Sequence, residues 1–467
     1  MRIFFTCLIL LIGADLSAQS DNIFTAEEYL DIVRRTHPVT RRANLLQAKA
    51  EAKLREARGG FDPKLYGDYE DKQFDSKDYF KIGEAGLKIP LWFGADLKAG
   101  YTWSGGVFLN PENKLPAQGQ AIIGAEVSVL QGLLFDKRRE QVRQAELYEA
   151  ANEAERRAVR NDLILNAATA YWNWAYSFQT VKIYEESVEL AENRFLGVRE
   201  SFLQGDKPAV DTLEALIQIQ TRRLNYNQAL TDYLNAGLEL SNYLWNADGA
   251  PLEVTDRLRP ELPAADIIPA MPDVSQDALR NSHPDLQQIL VKRKSLALKE
   301  RLKREGLKPD LRVNFNLLGT GTDFLPSDVN EGDFTGLLAE NYKWGATLEY
   351  PIFLRKARGG LDFVRLEQSE NELKLDGKQL EIQNKIRAAV NQAENTATLL
   401  KLQEEAAENY RLLLAAENEK FRIGESSIFL LNSREQKLIE ARLKTAKAAT
   451  ELEKTIYKVE WAAGRLF

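Results

Sequence analysis

Two hydrophobic periods take turns along this chain of 467 residues. Residues 136–204 and 361–423 carry leucine, valine and small residues at helical spacing, with no proline and one glycine each, Gly197 and Gly377. At the α-helical rise a run of that size is roughly 100 Å long. This predicts coiled-coil or bundle elements, not the helices of a compact domain. Residues 64–131 instead alternate. Leu97, Ala99, Tyr101 and Trp103 alternate with Lys98, Gly100 and Thr102; Ile123, Ala125, Val127 and Val129 alternate with Gly124, Glu126 and Ser128. Segments of about ten residues with one apolar and one polar face mark transmembrane β-strands. Tyr66, Tyr69, Tyr79, Trp92, Phe93 and Trp103 crowd the segment ends, as residues at a bilayer interface do. A half-buried soluble sheet alternates in the same way; helices too long for a compact domain, joined to these strands, favour the membrane.

The helical pattern bends twice, and the bends repeat. The first reads Phe202-Leu203-Gln204-Gly205-Asp206-Lys207-Pro208-Ala209-Val210-Asp211, the second Phe421-Arg422-Ile423-Gly424-Glu425-Ser426-Ser427-Ile428-Phe429-Leu430. Phe202 to Phe421 and Gly205 to Gly424 are the same step, 219 positions. A glycine can take the left-handed conformation that ends a helix, and Pro208 can open the next one. Helices are expected again over 209–246 and 428–463.

Nearer the N-terminus, Thr36-His37-Pro38 returns as Ser282-His283-Pro284, and Gly60-Phe61-Asp62-Pro63 as Gly306-Leu307-Lys308-Pro309, now 246 positions apart. Thr36 is the expected helix cap there. A step of 246 before the strands less 219 after them leaves 27 extra residues in the first half. That is room for longer loops or for one additional hairpin, with a turn near Trp92-Phe93-Gly94. Four strand-like runs are expected in the first half and two in the second, over 311–317 and 342–353, with a loop over 319–340 between them. The division expected is a first structural repeat over 19–247 (strands 64–131, bend near Gly205), a proline-rich linker or equatorial region over 248–273, and a second repeat over 274–467 (strands 311–353, bend near Gly424). The fold class is α+β: internally duplicated long antiparallel helical hairpins, with strands contributing to a shared β-barrel.

Residues 1–18 read as a secretory signal peptide, with Arg2, an apolar run over 3–13 too short to span a bilayer, and Ser17 and Ala18 before the cleavage point. The one cysteine, Cys7, lies inside it. The rest of the chain therefore has no disulfide, thiolate metal site or cysteine nucleophile. A net charge of −7 offers no basic footprint for nucleic acid. The two histidines, His37 and His283, stand at equivalent places and read as helix-start residues copied by the duplication, not as metal ligands. Gly319-Thr320-Gly321 lies between strands and opens no helix, so it is no phosphate loop. No catalytic constellation can be assembled, and neither enzyme activity nor a cofactor is expected.

A lone pair of such helices buries too little of its apolar surface, and a few strands cannot close a barrel. Association of several protomers remedies both. Ala145, Ala150, Ala151 and Ala154, and later Ala388, Ala389 and Ala393, let helices approach closely. At this point the chain resembles the TolC-like outer-membrane efflux proteins. The resemblance covers nearly the whole chain after the signal peptide. It rests on the paired Phe-x-x-Gly bends with Val210 and Phe429 five residues beyond each glycine, the Gly60-x-x-Pro63 and Gly306-x-x-Pro309 steps into strands, and the Tyr350-Pro351-Ile352-Phe353 exit from the last strand.

The resemblance implies a homotrimer in the outer membrane: one shared β-barrel in the lipid and one long α-barrel in the periplasm. It implies four strands per protomer, against the six counted here, so either residues 79–101 are partly loop or the barrel is wider. It also implies a periplasmic entrance at the bends, opened when an adaptor (a membrane fusion protein) docks at Gly205, Val210, Gly424 and Phe429. Asp211 matches an acidic gate position of the family; Leu430 and Ser433 hold the corresponding places in the second half, so a more apolar gate is expected. The expected function is an exit duct of a tripartite efflux or type I secretion system, fed from the periplasm or by an inner-membrane transporter. The competing reading is a periplasmic adaptor or coiled-coil scaffold, which normally has one hairpin and an N-terminal anchor.

Overall fold

The structure, a computed structural model, describes residues 22–254, 258–264, 270–324 and 341–467. The expected signal peptide and most of the loop expected over 319–340 lie outside the described residues. In chain order the elements are β1 (Asn22–Phe24), α1 (Ala26–Thr36), α2 (Pro38–Arg58), β2 (Lys64–Phe74), β3 (Lys77–Pro90), β4 (Ala95–Gly105), β5 (Gln120–Ser128), α3 (Lys137–Leu203) and α4 (Ala209–Ser241). Then come β6 (Leu258–Pro260), α5 (Gln276–Ser282), α6 (Pro284–Glu305), β7 (Asp310–Leu318), β8 (Tyr342–Glu349), α7 (Arg355–Arg422) and α8 (Ile428–Ala462). The chain divides into two compact units. One comprises residues up to Arg41 with Val159–Pro272 and Asn384–Phe467; the other comprises Arg42–Ala158 and Asp273–Gln383.

The first unit is helical. Its main core gathers Tyr29, Leu30 and Val33 of α1, Leu163, Ile164, Tyr171, Trp172 and Trp174 of α3, and Leu240 of α4. Tyr171 ties this core to the short parallel pair β1–β6: its hydroxyl donates to the Phe24 carbonyl at 2.6 Å and accepts the Glu261 N–H at 3.1 Å. The end of α8 is fastened in the same unit. Trp461 Nε1 donates to Asp162 at 2.6 Å, and Asn161 accepts the Leu466 N–H at 2.9 Å. A buried phenol or indole bonded in this way adds orientation to its hydrophobic gain.

The second unit holds a six-stranded antiparallel sheet in the order β2-β3-β4-β5-β7-β8. Paired residues share a face, so the registers sort the side chains. On one face lie Leu65, Leu87, Ile89, Leu97, Ala99, Ala125, Val127, Val313, Phe315, Trp344 and Leu348. That face carries no charge until the Asp71–Lys81 pair at the far end of β2 and β3. On the other face lie Lys64, Asp68, Glu84, Lys88, Asp96, Lys98, Glu126, Asp310, Arg312, Lys343 and Glu349. Many of these bond one another: Lys88 to Asp96 at 3.0 Å, Lys98 to Glu126 at 3.0 Å, and Arg312 to Asp310 at 2.6 Å. Glycines on the polar face make room for larger neighbours. A Cβ on Gly86 would stand 2.6 Å from Tyr66 Oη, which itself bonds Glu84 at 2.9 Å.

Three expectations change here. The four strands implied by the family resemblance are six, because residues 79–101 form a strand, a tight turn and a strand. The turn lies where the sequence placed it: Gly94 has φ +87° and donates to the Leu91 carbonyl at 3.3 Å. The last strand ends at Glu349, not Phe353, since Pro351 has no N–H for a ladder. The cap before Pro38 is His37 and not Thr36. His37 Nδ1 accepts the Val39 N–H at 3.2 Å, while the Thr36 hydroxyl turns back to the Ile32 carbonyl. His283 caps α6 in the same way, through the Asp285 N–H at 3.2 Å. Both imidazoles act as N-caps, which explains their matched positions.

Candidate functional site: the paired bends

Both bends close with the same hydrogen bonds. Gly205 N–H reaches the Phe202 carbonyl at 3.0 Å and Asp206 N–H the Ser201 carbonyl at 2.9 Å. Gly424 N–H reaches Phe421 at 3.2 Å and Glu425 N–H reaches Lys420 at 2.9 Å. This double closure is the Schellman motif, which satisfies the orphan carbonyls at a helix end. It demands a left-handed residue, and the glycines have φ +84° and +83°. The next helices start differently. Pro208 precedes α4 without a side-chain cap, whereas Ser427 Oγ accepts the Leu430 N–H at 3.2 Å to start α8.

The two bends lie together. Val198, Ala215 and Ile428 are buried in one cluster, with Phe195 and Phe421 packed on it. Around this small core the tip is apolar and open: Val210 is 63% exposed, Phe429 70%, Leu203 65% and Ile423 60%. Monomeric surfaces rarely expose so many large apolar groups side by side. Of the expected gate residues, Asp211 and Leu430 are half-buried and Ser433 is exposed. Asp211 accepts no side-chain bond here; its own N–H closes on the Pro208 carbonyl at 3.1 Å.

Behind the tip lies a polar network that sequence reasoning missed. Arg194 of α3 bonds Asn432 Oδ1 at 3.2 Å and the Glu435 carboxylate, both on α8. Asn432 in turn donates to Glu214 of α4 at 3.4 Å. Arg222 of α4, only 1% exposed, donates to Gln436, which donates to Glu440 at 3.0 Å. Burial lowers the Arg222 pKa, with nearby Glu435 opposing it. On α7, Glu417 accepts the Ser426 hydroxyl at 2.5 Å and stands 3.7 Å from Arg434. A signal was present. Asn432 and Glu435 interrupt the seam of Ile428 and Ile439 at spacings of 4, 3 and 4, the positions a helix buries. Their counterparts 219 positions earlier are Leu213 and Leu216, so the network arose after duplication or was lost from one half.

Among the described residues, no group of three or more His, Cys, Asp or Glu side chains could hold a metal ion, and no helix is long and apolar enough to cross a membrane. Residues 96–244 match the family model described as outer membrane efflux protein. The fold is similar to that of the outer-membrane channel OprN (15% identity, TM-score 0.68, covering 94% of this chain and 89% of that one). It is also similar to the Campylobacter jejuni CmeC outer membrane channel (15%, 0.65, 95% and 86%) and to the open state of the Neisseria gonorrhoeae MtrE outer membrane channel (13%, 0.66, 98% and 95%). A comparison with curated protein sequences gives no match. The fold is that of outer-membrane efflux channels, and the adaptor reading is not favoured.

Proposed function

We propose that three copies of this chain assemble into one duct of a tripartite efflux or type I secretion system. The strands close a shared barrel in the outer membrane, and the helices extend into the periplasm. Export follows from the signal peptide read over residues 1–18, and the two repeats over 19–247 and 274–467 flank an equatorial region over 248–273. The observation that carries the reading is the six-stranded sheet, with one face uncharged but for the Asp71–Lys81 pair at the far end of β2 and β3, one charged face and, among the described residues, two unpaired edges. In lipid an open edge leaves backbone groups unsatisfied, so such a sheet is completed only by further copies.

The bends form the periplasmic entrance in this reading. Val210 and Phe429, exposed beside Gly205 and Gly424, supply an apolar surface for a periplasmic adaptor that couples the duct to an inner-membrane transporter. Asp211 gives the closed entrance a ring of three carboxylates, and Leu430 with Ser433 narrows it without charge, so closure is mainly apolar. Membrane fractionation followed by native mass measurement in detergent tests the reading. A trimer in the outer membrane is expected; a water-soluble single subunit would refute it.

A further inference from the structure

We infer that the membrane section of this duct is an eighteen-stranded barrel whose only seams join β8 of one copy to β2 of the next. The inference rests on the trimeric reading above and goes beyond it to the width of the pore. The sheet is linear, with β2 at one edge and β8 at the other. Every neighbouring pair within it is antiparallel. An even number of strands per copy means that β8 meets the next β2 antiparallel as well, so the ring closes with one kind of ladder throughout. The faces also continue across the seam. Trp344, Ala346 and Leu348 of β8 extend the uncharged face that Leu65, Gly67 and Tyr69 carry on β2. Lys343, Thr347 and Glu349 likewise meet the polar face of Lys64, Tyr66 and Asp68. A shift by one residue would put charge into lipid on one strand of the pair.

Six strands from each of three copies make eighteen. With strands about 4.8 Å apart and tilted by about 40°, such a barrel measures roughly 36 Å between opposite backbones, against roughly 24 Å for twelve strands. Barrels of sixteen to eighteen strands leave an aqueous channel. The polar face suits a wide lumen, because Gly86, Gly100, Gly124 and Gly345 alternate there with charged groups. The barrel therefore does not limit cargo to small solutes: its width admits extended polypeptide, and restriction of size falls to the helical part.

Single-cysteine positions on β2 (Leu65, Gly67, Tyr69) and β8 (Trp344, Ala346, Leu348) are combined in all pairings in the membrane-inserted protein and oxidised. The same β8 positions are combined with Leu97→Cys or Ala99→Cys on β4 for comparison. Native mass is measured in parallel. Covalent trimers from β2–β8 pairs and none from β4–β8 pairs are expected. Trimers from β4–β8 pairs, which place the seam inside the sheet and leave a twelve-stranded barrel, would overturn the inference while the trimer stands. A trimeric native mass with no cross-link from either set would also overturn it. A native mass other than a trimer would instead remove the reading beneath it.

Discussion

Lys207 of the first bend places its ammonium 4.8 Å from the ring centre of Phe421 in the second. Phe421 also packs on Val198, Ala215 and Ile428, so one ring serves both hairpins. The bends are thus mechanically joined. Replacing Phe421 by Ala removes a partly buried ring, at a cost of about 1–3 kcal/mol, less than for a fully buried one. Amide exchange is expected to quicken over residues 202–210 as well as 421–430. Faster exchange in the second bend alone would show that the two do not depend on each other. Lys207→Ala gives the same pattern more weakly, on the order of 0.5 kcal/mol for an exposed cation–aromatic contact.

Gly205 and Gly424 separate shape from space. A Cβ added to either meets nothing within 4 Å, so any penalty comes from the positive φ alone. Asn tolerates that conformation and valine does not. Gly205→Asn and Gly424→Asn should therefore transport normally. The valine variants should lose about 1–2 kcal/mol locally and show impaired efflux, while still inserting in the outer membrane. Equal efflux from the Asn and Val variants in a complemented deletion strain would refute the role of the turn.

Arg194 and Glu435 form a nearly dry pair, with side chains 10% and 4% exposed. Removing one partner of such a pair strands the other charge and typically costs about 3–5 kcal/mol. Glu435→Ala should lower the thermal midpoint of the detergent-solubilised protein clearly. The double change Arg194→Met with Glu435→Leu should recover most of it, because an apolar pair fits a buried site well. The coupling from the full cycle decides. Additive losses would mean that the two residues do not share their energy.

The strands and bends were legible because they follow simple periods: alternation over 95–105 and 120–128, and a glycine where a helix must reverse. The extra hairpin was legible as arithmetic, through the 27 surplus residues. The start of α7 was not. Gly359 and Gly360 look like helix breakers, yet the helix begins at Arg355 and runs through them. The Gly360 position fits closely against the stem of Lys303, where a Cβ would stand 3.4 Å from Cδ. Tertiary packing here overrides glycine's helix penalty. The polar network escaped notice for a related reason. The spacing puts Asn432 and Glu435 on the buried seam of their helix, but only the approach of Arg194 from another helix makes them partners, and no period along one helix reports that.

Glu453 on α8 provides a pH test away from the membrane strands. Burial raises its pKa above the usual carboxylate value, and the neighbouring Glu261 adds to this; the Ala264 N–H, 2.9 Å from Glu453 Oε1, works the other way. A carboxyl with a raised folded-state pKa binds more protons folded than unfolded. Its contribution to stability is therefore fully present below the unfolded pKa and is lost as pH rises through the folded value. Glu453→Gln keeps an oxygen for the Ala264 N–H and removes the charge. The variant should melt higher than the parent at pH 7 and match it at pH 4, where both side chains are neutral. Melting curves of the two proteins between these pH values would show the gap opening upward from about the ordinary carboxylate pKa. A gap that is constant with pH would mean that the substitution acts through packing, and the carboxyl is then not held out of its charged form by its surroundings.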